Sequence, residues 1–233
     1  MAGGLQTIIN GCNEISINRR NVVGIQYTRN EIPRVSLTPT KNPWKITLTM
    51  PNSFRYSEAR ALMEAIDTLD RYQPELVTFS DNPALSWMFA YQGTMNASQY
   101  SGLRIQSWVG STMTLSGLPG IASSRVLFEP NDLFHPYGFT YPTTVRNQVL
   151  RGTGTTVTVT TGRPNIFSDS VVGLSLVIGN ACQWNFFCPN MPVYKLIPGG
   201  YLGSNGVATN NALIQWSDSF QLMEWVAPTS SPL

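Results

Sequence analysis

Trp44, Ile46, Leu48 and Met50 alternate with Lys45, Thr47 and Thr49. A period of two sends these sets to opposite faces of a strand. Residues 44–50 therefore predict a half-buried strand whose other face is wet or meets a partner. Short β-branched runs at Val22–Thr28 and Val35–Thr38 precede it. Between Ser57 and Arg71 the period changes: Leu62, Ile66 and Leu69 recur at helical spacing, with Met63 and Ala65 widening the stripe. Ser57 is placed to cap this helix, Glu58 and Arg71 suit its dipole, and Pro74 stops it. It is the one helix that the pattern predicts, with Arg60, Glu64 and Asp67 on its outer face.

Beyond the helix the expected elements are strands: Leu76–Phe79, Ser86–Tyr91 and Leu103–Trp108, then Thr112–Leu115, Arg125–Leu127, Thr144–Leu150, Thr155–Thr161, Gly173–Ile178 and Gln183–Phe187. Short strands at regular spacing, parted by Gly, Pro and Asn, predict a small barrel or sandwich. Arg151-Gly-Thr-Gly154 reads as a hairpin turn. The Gly- and Asn-rich stretch Gly199–Asn211 reads as a mobile connection. Ala212–Trp216 and Ser219–Val226 read as closing strands, ahead of a Pro/Ser tail. This order fits an insertion: one β domain at 1–108 plus 205–233, carrying the helix at 57–71, and a β-barrel inserted at 109–204. The expected fold class is thus mainly β with one α-helix.

Composition changes the picture in one respect. Charged residues make up 12% of the 233, against about 25% in ordinary soluble domains. Ser, Thr, Asn and Gln take their place, either as a neutral polar coat or because much of the surface is buried against other chains, where charge is costly to desolvate. The N-terminus has neither a basic region nor a continuous apolar core of a signal peptide, which favours the second alternative and assembly in a cytoplasm. No apolar run approaches the roughly 20 residues of a membrane span. A net charge of +2 and an isolated Arg19–Arg20 pair give no nucleic-acid footprint. The three cysteines cannot all pair, and Cys182 and Cys188 are expected as free thiols.

Catalytic chemistry finds little support. His135 is the only histidine, so every Ser–His or Cys–His scheme would need it. Glu129, Asp132 and His135 lie close in sequence, but Pro130 and Pro136 interrupt them and no second ligand cluster follows. Asp67 and Asp70 fall on the helix's outer side, a poor setting for a carboxylate pair. The glycines near 151–154 and 199–206 lack the strand, lysine and helix of a phosphate loop. The expectation is no enzyme, no cofactor and no metal site. Six Trp, nine Tyr and ten Phe are many for so weakly charged a chain. They serve core packing, or else sugar stacking or subunit contacts.

Several segments carry a resemblance. Gly110-Ser-Thr-Met-Thr-Leu-Ser-Gly-Leu-Pro119, Phe128-Glu-Pro-Asn-Asp-Leu-Phe134, Tyr141-Pro-Thr-Thr-Val145 and Val149–Val159 resemble the inserted β-barrel domain of tailed-bacteriophage tail structural proteins. The first segment of the chain is similar to the tail-tube fold shared by tail-tube, initiator, distal-tail and baseplate-hub proteins. Ala212–Trp225 resembles its closing hairpin. The resemblance implies a tail-tube-like sheet with a flanking helix, a ring (usually a hexamer) around a central channel, and contacts with other tail or baseplate proteins in the virion. It implies no active site. On it, the strand Trp44, Lys45, Ile46, Thr47, Leu48, Thr49 and Met50 is the expected ring-interface or channel strand. Leu62, Ile66 and Leu69 mark the expected bracing helix. A carbohydrate-binding β-sandwich is the rival expectation.

Overall fold

The structure, a computed structural model, describes residues 3–18, 23–27, 33–37, 43–51, 54–69, 73–197 and 213–226. The protein is mainly β, built from several antiparallel sheets, with three α-helices among the described residues. The chain divides into two compact units, one of 1–19, 43–77 and 185–225 and the other of 20–42, 78–184 and 226–233. The chain thus leaves the first unit after Val77 and returns at Asn185, whereas sequence pattern put these edges at 109 and 204. The expected connection at 199–211, the tail after 226, and Asp70 and Arg71 lie outside the described residues.

The first unit is organised on a five-stranded sheet in the order Glu14–Asn18, Lys45–Thr49, Phe220–Glu224, Gln183–Asn190, Glu75–Thr78. The alternation at 44–50 is realised: Trp44, Ile46, Leu48 and Met50 are buried while Lys45 is exposed. Register builds apolar ladders across three strands, Ile17–Ile46–Leu222 and Ile15–Leu48–Phe220. A buried carboxylate closes the sheet, since Glu224 accepts the Trp44 N–H at 2.9 Å and returns its own N–H to the Trp44 carbonyl at 2.9 Å. A smaller sheet follows the order Tyr194–Ile197, Leu213–Trp216, Phe54–Arg55.

The expectation of a single helix is corrected. Gly4–Gly11 is an α-helix, α1, burying Leu5, Ile8 and Ile9 completely. Gly3 gives it no side-chain cap; the Glu75 carboxylate instead accepts the Leu5 N–H at 2.9 Å from 70 residues away. The expected helix is α2, Tyr56–Asp67. It starts straight from a strand with Arg55 at the cap position, so Ser57 is not the cap. It ends four residues before Arg71 because Thr68 turns its hydroxyl onto the carbonyls of Glu64 and Ala65, at 2.9 and 3.1 Å. Gly4 lets α1 approach α2: a β-carbon there would lie 2.7 Å from the Ala65 carbonyl oxygen. The short α3, Ala97–Tyr100, has a capping box in which Asn96 and Gln99 bond reciprocally.

The second unit packs small antiparallel sheets around one core that includes Leu103, Ile105, Met113, Leu115, Phe128 and Phe134. Val23–Tyr27 and Pro33–Leu37 pair with each other and belong to this unit. Residues 86–91, expected as a strand, form a 3-10 turn at Ser86–Phe89. Asn82 sets it up, its side chain accepting from the Ala84 N–H and its carbonyl from the amides of Leu85 and Ser86. The Arg151–Gly154 segment joins strands paired to different partners, Val149–Leu150 to Val126–Phe128 and Val157–Thr160 to Thr112–Ser116. It is therefore not a tight hairpin, and the Arg151 guanidinium holds it by donating to the carbonyls of Pro119, Gly152 and Gly154.

Candidate functional site

The residues from which sequence reasoning could have drawn catalysis are tied into the fold. His135 is 2% exposed; its Nδ1 faces the Pro136 carbonyl at 2.8 Å and its Nε2 receives the Gln183 N–H at 3.2 Å. Facing a carbonyl, Nδ1 carries the proton; facing a donor, Nε2 is the acceptor. Burial lowers its pKa to about 4. Asp132 accepts the backbone N–H groups of Gln92 and Glu129 at 2.7 and 2.8 Å. Burial raises its pKa and these amides oppose the rise. The Glu129 carboxylate takes the Gln148 side-chain amide. The three groups do not converge, and among the described residues no cluster of His, Cys, Asp and Glu is placed to hold a metal ion. The cysteines are thiols. Sγ of Cys182 donates to the Val177 carbonyl and Sγ of Cys188 to that of Asn190. Asp67 lies at the end of α2.

The candidate site is instead a surface of the first unit. Ile66, Asp67 and Leu69, at the end of α2, face Met191, Pro192, Val193 and Tyr194 across a cleft of about 410 Å³. Among the described residues Asp67 is the only charged one lining it. The cleft opens because α2 stops at Thr68: Ala59, Leu62 and Ile66 are buried, whereas Leu69 beyond the cap is half-exposed. Its far wall leads into the strand Tyr194–Ile197, which lies at one edge of the three-stranded sheet.

That edge strand is anchored at its start, and among the described residues no strand pairs with its outer edge. Val193 donates its N–H to the Ser217 hydroxyl at 3.1 Å, and Ser217 returns its own to the Val193 carbonyl at 2.8 Å. Tyr194 packs edge-on to Trp216, with ring centroids 5.5 Å apart. Val193 is nevertheless 71% exposed, Leu196 54% and Ile197 43%, and Lys195 is the only charge between them. An edge strand with apolar side chains on both faces is normally shielded or covered.

The other predicted site residues fall into place individually. Lys45–Thr49 is an interior strand, paired on both flanks. Its outer face joins Lys45, Thr47 and Thr49 to Glu14, Ser16, Asn18, Gln221 and Met223 of the neighbouring strands, with Phe187 beyond Met223. That face is polar over its first two strands, with one positive and one negative side chain, and turns apolar at Met223 and Phe187. Of the expected bracing helix, Leu62 turns inward, while Ile66 and Leu69 reach the cleft. Sequence reasoning missed the edge strand, although Met191-Pro-Val-Tyr-Lys-Leu-Ile-Pro198 is an apolar run bounded by prolines, a strand signal. Of the six tryptophans, four are buried, whereas Trp87 and Trp225 are 70% and 44% exposed.

No family model matches the chain, and no curated protein is significantly similar to it. Among the described residues no helix is long and apolar enough to cross a membrane.

Proposed function

We propose that this chain is a structural protein of a tailed-phage virion, forming a ring of about six copies around a central channel in the distal tail or baseplate. It works by assembly, with other tail proteins as partners and without catalysis, cofactor, membrane or sequence-specific nucleic acid. The observation that carries this reading is the exposed apolar edge strand Tyr194–Ile197 beside the cleft at the end of α2. Such a surface is a liability on a lone molecule and an asset in one whose edges are covered by neighbours. The part of the sheet face formed by Lys45, Thr47 and Thr49 with Glu14, Ser16 and Asn18 suits a water-filled channel, being polar and almost without net charge. In this picture the first unit is the tail-tube-like sheet, braced by α2, and the second is the inserted barrel.

Light scattering after size exclusion, with negative-stain imaging, tests the reading. The expected species is a ring of about six copies, or an oligomer that grows with concentration. Val193→Glu combined with Leu196→Lys should return the protein to a monomer with an unchanged circular dichroism spectrum. A monomer at high concentration that also fails to bind any purified tail or baseplate fraction would overturn it.

One observation favours a second reading, carbohydrate binding. The exposed Trp87 donates its indole N–H to the Ala84 carbonyl at 2.8 Å, which fixes the ring with a face free for stacking. Glycan-array binding by the monomer, lost in Trp87→Ala, would decide for this alternative.

A further inference from the structure

Gln183 opens the strand Gln183–Asn190, just before the chain leaves the second unit at Trp184. Its N–H is received by His135 Nε2 at 3.2 Å, while Nδ1–H of the same ring is spent on the Pro136 carbonyl at 2.8 Å. Both ring nitrogens are therefore committed, and only the neutral ring fits. A proton added at Nε2 would set two donors against each other and abolish the contact with Gln183. We propose that His135 and Gln183 form an acid-released latch, which holds the start of the strand Gln183–Asn190 at neutral pH and frees it when His135 is protonated.

Among the described residues, the elements packed against His135 offer no charge to stabilise an imidazolium. The strand Leu133–Pro136 pairs with Thr143–Thr144 and Leu176–Ile178, and the turn Gly179–Ala181 follows the latter. These elements carry no Asp, Glu, Lys or Arg. Cys182 is the titratable side chain next to the latch, and burial pushes its thiol well above the usual range, so it stays neutral. Asp132, three residues upstream, is occupied by the amides of Gln92 and Glu129.

Linkage gives the sign and the window. The closed latch holds His135 at about 4, whereas an opened, hydrated imidazole titrates near its ordinary 6.5. The opened form thus binds the proton first. The latch is fully closed above pH ~6.5 and loses closure as pH falls towards ~4, by roughly tenfold per pH unit and about 100-fold in all.

The test is amide hydrogen exchange on the full chain between pH 7 and 4, read as protection factors so that intrinsic exchange rates cancel. Protection at Gln183 should fall by about 100-fold while that at Met113, in the core of the same unit, falls much less. The His135 ring, followed by NMR, should titrate well below its ordinary value. His135→Gln, which keeps a neutral acceptor, should flatten the dependence at Gln183. A native-state ring titrating at about 6 or above would overturn the latch. So would protection at Gln183 that tracks Met113 at every pH, or an unchanged slope in a folded His135→Gln. The latch does not depend on whether the protein forms rings.

Discussion

Glu75→Ala should unfasten α1 without touching its apolar face. The first amides of a helix lack intrahelical partners, and in α1 the cap residue is Gly3, which offers no side chain. No acidic residue sits in the first turn either. Glu75 fills both deficits, because its carboxylate accepts the Leu5 N–H at 2.9 Å and brings a negative charge to the positive end of the helix. Losing a capping acceptor costs about 1 kcal/mol, and losing the charge a further ~0.3–1 kcal/mol. Glu75→Ala should then cost about 1–2 kcal/mol and Glu75→Gln, which keeps an acceptor, about half of that. Hydrogen exchange at Leu5 and its neighbours is the direct assay, and opening should rise by about 5- to 30-fold in Glu75→Ala. Gly3→Ala supplies an independent check: its new β-carbon would sit 2.2 Å from the present position of Glu75 Oε2. The carboxylate must swing away, so the two substitutions should be strongly non-additive in a double-mutant cycle. Additive effects, or a Glu75→Ala protein whose Leu5 exchange matches the parent's, would refute the reasoning.

Gly4→Ala should be worse than an ordinary helix-start substitution. The added methyl meets the Ala65 backbone oxygen at 2.7 Å and Leu69 Cδ1 at 2.8 Å; forced separation of α1 and α2 should cost about 1–3 kcal/mol, seen as a lower urea midpoint. Oligomers built through Tyr194–Ile197 should persist from low to high salt, because the strand's exposed side chains are mainly apolar, with Asp67 and Lys195 the only charges there among the described residues. Sedimentation velocity checks this, and dissociation by salt alone would point to a charged interface elsewhere.

The strand at 44–50 was legible because its alternation is strict and one face is buried; the pleat leaves such a pattern a single reading. The middle of α2 was legible for the same kind of reason, at its own period. Its ends were not. The start is governed by Phe54–Arg55 pairing with Leu213–Ile214, and the stop by a threonine hydroxyl that competes locally with the next helical bond. Helix α1 was hidden by its cap, because Glu75 is 70 residues from the amide it receives and short-range patterns cannot register that distance. Leu5, Ile8 and Ile9 do fall at helical spacing, but two glycines and a β-branched pair argue against a helix when read alone. The turn at Ser86–Phe89 shows local chemistry overriding propensity. Trp, Met and Phe suggest a strand, yet Asn82 draws three successive amides into a turn. The candidate surface was least legible of all, since an apolar strand looks the same in sequence whether its outer edge is covered or bare.

The low charge of the chain gains a more specific meaning from where its charges sit. Asp132, Glu224 and Arg163 are each at least nine-tenths buried and serve the backbone. Asp132 receives the amides of Gln92 and Glu129, and Glu224 receives that of Trp44. Arg163 donates to the Pro142 carbonyl and lies 3.7 Å from the Tyr141 ring centroid. Charges used in this way are withdrawn from the surface, so 12% overstates what solvent meets. Burying them is costly unless their polar atoms are satisfied. The fold thus spends these three scarce charged groups on fixing loops and a sheet, while most of the other described charges, Lys45, Arg60, Arg104 and Lys195 among them, stay exposed. A lone soluble protein would gain solubility from more surface charge than this. A subunit held by neighbours gains more from rigid loops and from surfaces that desolvate cheaply. The low charge, together with the exposed apolar side chains at 193–197, is the physical basis for the proposal that the chain is a component of an assembly.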